Sequence, residues 1–148
     1  MNHRCYLVAA AVVMLVASLI LVSGCAPSLK VGWREYRYDR FWHATFTRFS
    51  GSEKASFAAE EGDLIVIDAS LELVSGSMTL SFCDADGELI WSRESDESVS
   101  ESISVTALES GRYRLIVEGH KAVGGFDVTW DSHPIDASRL GRDLAVDR

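Results

Sequence analysis

The sequence predicts an all-β protein, an antiparallel β-sandwich of about eight strands that follows an N-terminal signal helix. Apolar and polar residues alternate through most of the chain after residue 40, which is typical of strands with one buried and one wet face. Turn residues separate the alternating runs at short, regular intervals, as in sandwiches and barrels. We therefore assign residues 33–131 to one β-sandwich domain.

Each predicted strand places its apolar residues on one face. In order, the strands contain residues 42–46, 55–59, 65–73, 78–82, 89–91, 103–107, 113–117 and 126–130. Residues 74–77 and 84–87 are predicted turns, because glycine and aspartate tolerate the backbone angles of tight turns. Residues 132–148 are predicted to be a polar C-terminal tail.

Residues 1–24 are predicted to be an export signal. Arg4 supplies positive charge, and residues 6–22 form an apolar run that only Ser18 interrupts. Positive charge, an apolar run and small residues before a cleavage site are typical of secretory signals. The run is also close to the roughly 20 residues that span a bilayer. A retained transmembrane helix that ends at an incidental cysteine is therefore the alternative.

The end of this run, Val22-Ser23-Gly24-Cys25, resembles the lipobox of bacterial lipoproteins. The resemblance implies transfer of a diacylglyceryl group to the Cys25 sulfur and cleavage between Gly24 and Cys25. Residues 25–32 would then be a lipidated tether, and two acyl chains suffice for stable membrane binding. We expect a lipoprotein on the extracytoplasmic face of a cell membrane. Since no acidic residue follows Cys25 directly, the outer membrane is permitted in a two-membrane bacterium.

Within the domain, residues 76–130 resemble the pre-peptidase C-terminal type of bacterial β-sandwich. The motifs that carry the resemblance are Asp84-Ala85-Asp86-Gly87 with Leu89-Ile90-Trp91, then Gly111-Arg112-Tyr113, then Phe126-Asp127-Val128. The resemblance implies a jelly-roll-like sandwich and a non-catalytic accessory or binding role.

The composition argues against nucleic acid as a partner. The chain has 14 basic and 22 acidic residues and a formal net charge of −8, whereas nucleic-acid phosphates require a basic surface. After Cys25 the chain contains one further cysteine, Cys83, so we expect no disulfide within the domain. No histidine lies near Cys83 in sequence, which disfavours a catalytic thiol.

Positive charge is concentrated next to the predicted anchor. Residues 26–49 contain five basic and two acidic residues, whereas residues 50–148 contain eight and 20. The aromatic residues of the same segment include Trp33, Tyr36, Tyr38, Phe41 and Trp42. Cationic and aromatic side chains suit the headgroup layer of a membrane. Alternatively, the aromatic residues fill the base of the domain and the arginines pair with its acidic surface.

No motif predicts catalysis or a cofactor. The sequence contains no Gly-x-Ser-x-Gly elbow, HExxH motif or glycine-rich phosphate loop, so we expect a protein that is not an enzyme. The candidate metal ligands are Asp84, Asp86 and Glu88. Calcium takes about six to eight oxygen ligands, and a solvated hairpin turn is the favoured interpretation of these three carboxylates.

The leading functional hypothesis is a lipid-anchored binding or envelope accessory module with an envelope protein or a glycan as its partner. The alternative is a module that binds carbohydrate or cell wall through exposed tryptophans, whose flat faces stack on sugar rings. Trp91 and Trp130 lie on apolar strand faces and are expected in the core. Trp33 and Trp42 are therefore the candidate ligand contacts.

Overall fold

A computed structural model describes residues 28–135. The regular secondary structure of these residues consists of seven β-strands, which pair in antiparallel fashion. The strands are β1 (Leu29–Val31), β2 (Arg34–Tyr38), β3 (Phe41–Ala59), β4 (Asp63–Cys83), β5 (Leu89–Ser95), β6 (Val99–Thr106) and β7 (Gly111–Pro134). The predicted all-β antiparallel class is confirmed. The predicted signal, Gly24, Cys25 and most of the predicted tail lie outside the described residues. Residues 28–135 contain no helix with the length and apolarity needed to cross a membrane.

Three long strands form the framework of the domain. β3, β4 and β7 contain 19, 21 and 24 residues, several times the length of an average strand. β7 lies in the middle, with β3 paired on one side and β4 on the other. Each long strand bends near its middle, so the continuous sheet forms two facing layers.

The two layers use different halves of the long strands. The first layer has the order β2–β3–β7–β4–β6 and contains the first halves of β3 and β4 with the second half of β7. The second layer has the order β3–β7–β4–β5 and contains the remaining halves. β1 extends the edge at the bend, where it pairs with residues 48–50 of β3. The result is a β-sandwich.

The bends are bulges rather than turns. Register shifts interrupt the ladders between Phe46 and Gly51 in β3 and between Leu73 and Ser77 in β4. The predicted turn at residues 74–77 is therefore wrong, because Gly76 adopts a φ of +79° and β4 continues into the second layer. Six of the eight predicted strands are halves of three long ones, since a bulge breaks the alternation in the sequence as a turn does.

The inward-facing positions change phase at each bend. In β3 they are even-numbered in the first half (42, 44 and 46) and odd-numbered in the second half (55, 57 and 59). β4 and β7 each change from odd to even positions. Because a slip of one residue moves every later side chain to the opposite face, the bulges keep apolar residues inside both layers.

A single apolar core fills the space between the layers. The rings of Phe57 in the second layer and Trp130 in the first lie 5.7 Å apart and nearly parallel. Trp130 is buried, as predicted, and Trp91 is half-buried against the core. Cys83 is buried with a free thiol. Each fully buried large apolar side chain contributes roughly 1.5–3 kcal/mol, which makes this core the main source of stability.

Polar contacts close both open sides of the sandwich. On the side of β5 and β6, Arg93 Nε lies 3.3 Å from a Glu101 carboxylate oxygen. On the opposite side, Arg37 of β2 donates a hydrogen bond of 2.9 Å to the carbonyl oxygen of Lys54 in the second half of β3. These contacts join the two layers where the sheet itself does not.

Replacement of Gly124 by alanine tests the requirement for the bend in β7. Gly124 has a φ of +144°, and an added Cβ would collide with the carbonyl oxygen of Glu72. We expect Gly124→Ala to lower the free energy of unfolding by about 3 kcal/mol or more, measured by urea denaturation.

Gly62→Ala is the matched control. Gly62 also has a positive φ, +88°, but an added Cβ would meet no atom within 4 Å. We expect a loss of only about 1–2 kcal/mol from backbone strain. Equal losses in the two variants would contradict the steric requirement at the bend.

Candidate ligand-binding face

The outer face of the first layer carries three rows of side chains that cross its strands. Strand alternation and register place the rows side by side, and directly opposed residues have Cβ atoms about 4.5–5.5 Å apart. The rows are Tyr38, Phe41, Thr129, Asp68 and Ser102; Tyr36, His43, Asp127, Ser70 and Ser100; and Arg34, Thr45, Gly125 and Glu72. Each row passes from aromatic or basic side chains at β2 to acidic and hydroxyl side chains at β4 and β6.

The β2 edge of this face is an aromatic platform, which we define as Tyr36, Tyr38, Phe41 and His43. Tyr36 and Tyr38 are 62% and 77% exposed. The His43 ring lies 6.1 Å from the Tyr36 ring and 6.2 Å from the Phe41 ring, nearly parallel to the latter. The platform therefore presents grouped aromatic surface to solvent.

A polar groove adjoins the platform. It has a volume of about 430 Å³, and its polar lining residues are Asp68, Ser70, Ser100, Glu101, Ser102, Asp127 and Thr129. Asp127 Oδ1 lies 2.6 Å from His43 Nδ1, which links the groove to the platform. The Ser100 hydroxyl donates a hydrogen bond of 3.3 Å to Ser70 Oγ. The groove thus offers both hydrogen-bond donors and acceptors.

The order of residues in the middle row does not suit a Ser-His-Asp triad. In such a triad the serine lies within hydrogen-bond reach of the histidine. Asp127 lies between His43 and Ser70 in the row, so the backbones that carry His43 and Ser70 are two strand spacings, or roughly 10 Å, apart. The contact with Asp127 therefore holds the His43 ring in the platform and does not place it beside Ser70.

Trp33 and Trp42, the predicted ligand contacts, pack toward the core. Trp42 is 0% exposed, and its ring meets the Phe126 ring edge-on at 4.8 Å. The prediction that Trp42 is exposed is wrong, because the even positions of this half of β3 face inward. Trp33 is half-buried. Its ring stacks on Phe46 at 5.4 Å, and the Lys30 ammonium group lies 4.6 Å from its centroid.

Both tryptophans donate hydrogen bonds to Glu35 of β2. The distances are 3.1 Å from Trp33 Nε1 and 2.8 Å from Trp42 Nε1, and Arg37 Nε donates a third bond of 2.8 Å. Burial raises the pKa of Glu35, but the hydrogen bonds from Trp33, Arg37 and Trp42 and the charge of Arg37 outweigh this effect. The net pKa lies below its ordinary value. The cluster fastens the inner face of β2 and thereby positions the platform on its outer face.

The platform residues were not among the ligand contacts that the sequence suggested. The sequence pattern that could have identified the two tyrosines is the alternation within Arg34–Tyr38. It places Tyr36 and Tyr38 on the face opposite Glu35 and Arg37. The structure supports core filling and ion pairing for much of the basic, aromatic segment near the predicted anchor, since Trp33 and Trp42 pack inward and Arg37 bonds to Glu35. Tyr36 and Tyr38 do not fit that interpretation, because their side chains are exposed and do not fill the core.

The candidate metal ligands Asp84, Asp86 and Glu88 belong to the β4–β5 hairpin. Asp84 Oδ1 accepts a hydrogen bond of 2.7 Å from the backbone N–H of Glu88, and the Asp84 carbonyl accepts one of 3.2 Å from the N–H of Gly87. Asp84 therefore braces the turn. Within residues 28–135, no group of three or more histidine, cysteine, aspartate or glutamate side chains is placed to hold a metal ion.

Comparisons with known proteins found similarity to solved structures only. No protein-family model matches the chain, and no curated protein sequence matches it. Among solved structures, the chain is similar to TmCBM61 in complex with β-1,4-galactotriose, with 14% identity, 69% of this chain and 70% of that chain covered, and a TM-score of 0.42.

Two further structures share this level of similarity. One is the pre-peptidase C-terminal domain of a collagenase from Bacillus anthracis, with 14% identity, 55% of this chain and 77% of that chain covered, and a TM-score of 0.42. The other is a CBM4 structure, with 7% identity, coverage of 70% and 79%, and a TM-score of 0.44.

Replacement of Glu35 tests its role in fastening β2. Because the folded-state pKa is lowered, ionised Glu35 stabilises the fold above its unfolded pKa, and this contribution is lost as the pH falls through the folded pKa. We expect Glu35→Gln to lower the Tm at neutral pH and to converge with the wild type in acid, as followed by thermal unfolding across the pH range.

Glu118→Gln, at an exposed carboxylate on the second layer, is the control and should leave the Tm at neutral pH unchanged. A Tm difference between Glu35→Gln and wild type that stayed constant with pH would contradict the role of the ionised carboxylate.

Proposed function

We propose that the protein is a lipid-anchored, extracytoplasmic glycan-binding module without catalytic activity. The binding surface in this proposal is the outer face of the first layer. The observation that carries it is the aromatic platform lying directly beside the polar groove.

The two parts of this face match the two kinds of surface on a sugar ring. A pyranose has an apolar face of C–H groups and a rim of hydroxyl groups. The exposed rings of Tyr36 and Tyr38 offer stacking surface for the first. The carboxylates of Asp68 and Asp127 accept hydrogen bonds from the second, and bonds to charged groups are stronger than neutral ones.

The dimensions of the face suit an oligosaccharide rather than a single sugar. Each five-residue row crosses five strands, or roughly 19 Å at the usual strand spacing. A short glycan that stacks on the platform would therefore continue into the groove.

The glycan part of the proposal is tested by glycan arrays and peptidoglycan pull-downs, followed by titration calorimetry with the oligosaccharide selected. We expect Tyr36→Ala to weaken binding about fivefold, since an aromatic contact contributes about 1 kcal/mol. Asp127→Asn should weaken it as well, because it removes a charged acceptor and the partner of His43.

Leu108→Ala is the control, because Leu108 is 87% exposed but lies in the β6–β7 loop, away from this face. Binding that is absent from every glycan tested, or that persists unchanged in the Tyr36 and Asp127 variants, would contradict the proposal.

The anchor part of the proposal rests on Val22-Ser23-Gly24-Cys25. We expect cells grown with a clickable fatty acid to label the wild-type protein and not Cys25→Ala. Cys83→Ala is the matched control and should be labelled like the wild type, since the Cys83 thiol is buried. Equal labelling of wild type and Cys25→Ala would refute the lipid anchor.

A further inference from the structure

The bends of the three long strands lie together along one edge of the sandwich, and exposed apolar side chains project there. Val74 in the β4 bend is 82% exposed, and Leu29 and Val31 of β1 are 46% exposed each. With the exposed cations Arg48 and Lys121, we call these five residues the bend edge.

Backbone contacts bring the parts of the bend edge together. Val31 pairs with Arg48 in the β1–β3 ladder. The backbone N–H of Lys121 donates a hydrogen bond of 3.0 Å to Ser50 Oγ, one strand away from β1. Gly76 packs so closely on the carbonyl of Lys121 that an added Cβ would collide with it. The edge is thus continuous from β1 through β7 to the β4 bend that carries Val74.

The bend edge is cationic on a molecule that is otherwise acidic. Arg48 and Lys121 lie on the edge itself and Lys30 lies next to it in β1, whereas residues 50–135 as a whole contain five basic and 17 acidic residues. Glu94 and Asp96 line a pocket together with Lys121, and Glu72 lines a depression together with Val74. The positive charge therefore lies on the side of the edge that faces β1.

The chain enters the domain at this edge. From Cys25 to Leu29 the backbone reaches at most about 14 Å, so a lipid on Cys25 holds β1 within that distance of the headgroups. This step rests on the anchor in the proposed function. Without the anchor, three exposed aliphatic side chains and two cations are too small a surface for stable membrane binding.

We infer that the bend edge rests on an anionic bilayer surface. Leu29, Val31 and Val74 then enter the headgroup layer, and Arg48 and Lys121 face the lipid phosphates, where juxtamembrane cations are attracted. Tyr38 lies nine residues along the edge from Leu29, or roughly 30 Å of extended strand. The aromatic platform is consequently held clear of the membrane, and Ser70 of the polar groove lies four residues, or roughly 13 Å, from Val74 along β4.

Depth measurements on the full-length lipidated protein test this orientation. An environment-sensitive fluorophore is attached at Val74→Cys in a Cys83→Ala background, and the protein is placed in vesicles of phosphatidylcholine and phosphatidylglycerol with headgroup spin-labelled lipid. We expect a blue shift and quenching at position 74. Arg48→Glu combined with Lys121→Glu should abolish the quenching while the protein stays on the vesicles.

Leu108→Cys is the matched control, because Leu108 is as exposed as Val74 but lies beside the β3–β4 turn, where Ala107 bonds to Asp63. A fluorophore there should stay unquenched. Equal quenching at positions 74 and 108, or none at either on vesicle-bound protein, overturns the inference. A third outcome is a blue shift at position 74 that grows with protein density but is not accompanied by quenching. This result would assign the bend edge to contact with a second copy of the protein and would also overturn the inference.

Failure of the protein to associate with vesicles refutes the anchor and this inference with it. Glycan binding in solution, measured separately, would then still test the ligand-binding face. Failure of glycan binding with quenching at position 74 intact would refute the ligand and leave the orientation standing.

Discussion

The fold depends on keeping apolar side chains inside on both sides of three strand bends. A continuous strand of about 20 residues would carry one alternation along its whole length. β3, β4 and β7 instead change phase where they pass from one layer to the other. The change has to occur in all three strands together, because they are hydrogen-bonded neighbours whose register resumes beyond the bulges. Glycines with positive φ at Gly51, Gly76 and Gly124 allow it.

The candidate site follows from the same alternation. The register that buries Trp42 and Phe46 inside the first layer turns His43 outward, opposite Tyr36 on β2 and Asp127 on β7. The core and the candidate ligand-binding face are therefore two sides of one set of strands. The cluster around Glu35 fastens the inner side of β2, and the rings on its outer side stay exposed as a result.

The two proposed surfaces occupy different ends of the edge strands. Leu29 and Val31 lie at the bend, where the chain enters, and Tyr36 and Tyr38 lie toward the β2–β3 turn. Acidic residues dominate the body of the domain, while basic residues cluster in the segment nearest the predicted anchor.

The sequence by itself determined the all-β class, the antiparallel pairing and most of the core, because a period of two is a local property that each short run displays. It also determined the export-signal pattern, which stays a prediction. The tertiary structure alone decided that six of the eight predicted strands join into three, since a bulge and a turn break the alternation alike. It also decided that Trp42 is buried and that Tyr36, His43, Asp127 and Ser70 share a row. Their neighbourhood depends on the register between strands up to about 90 residues apart in sequence, and no local pattern encodes that register.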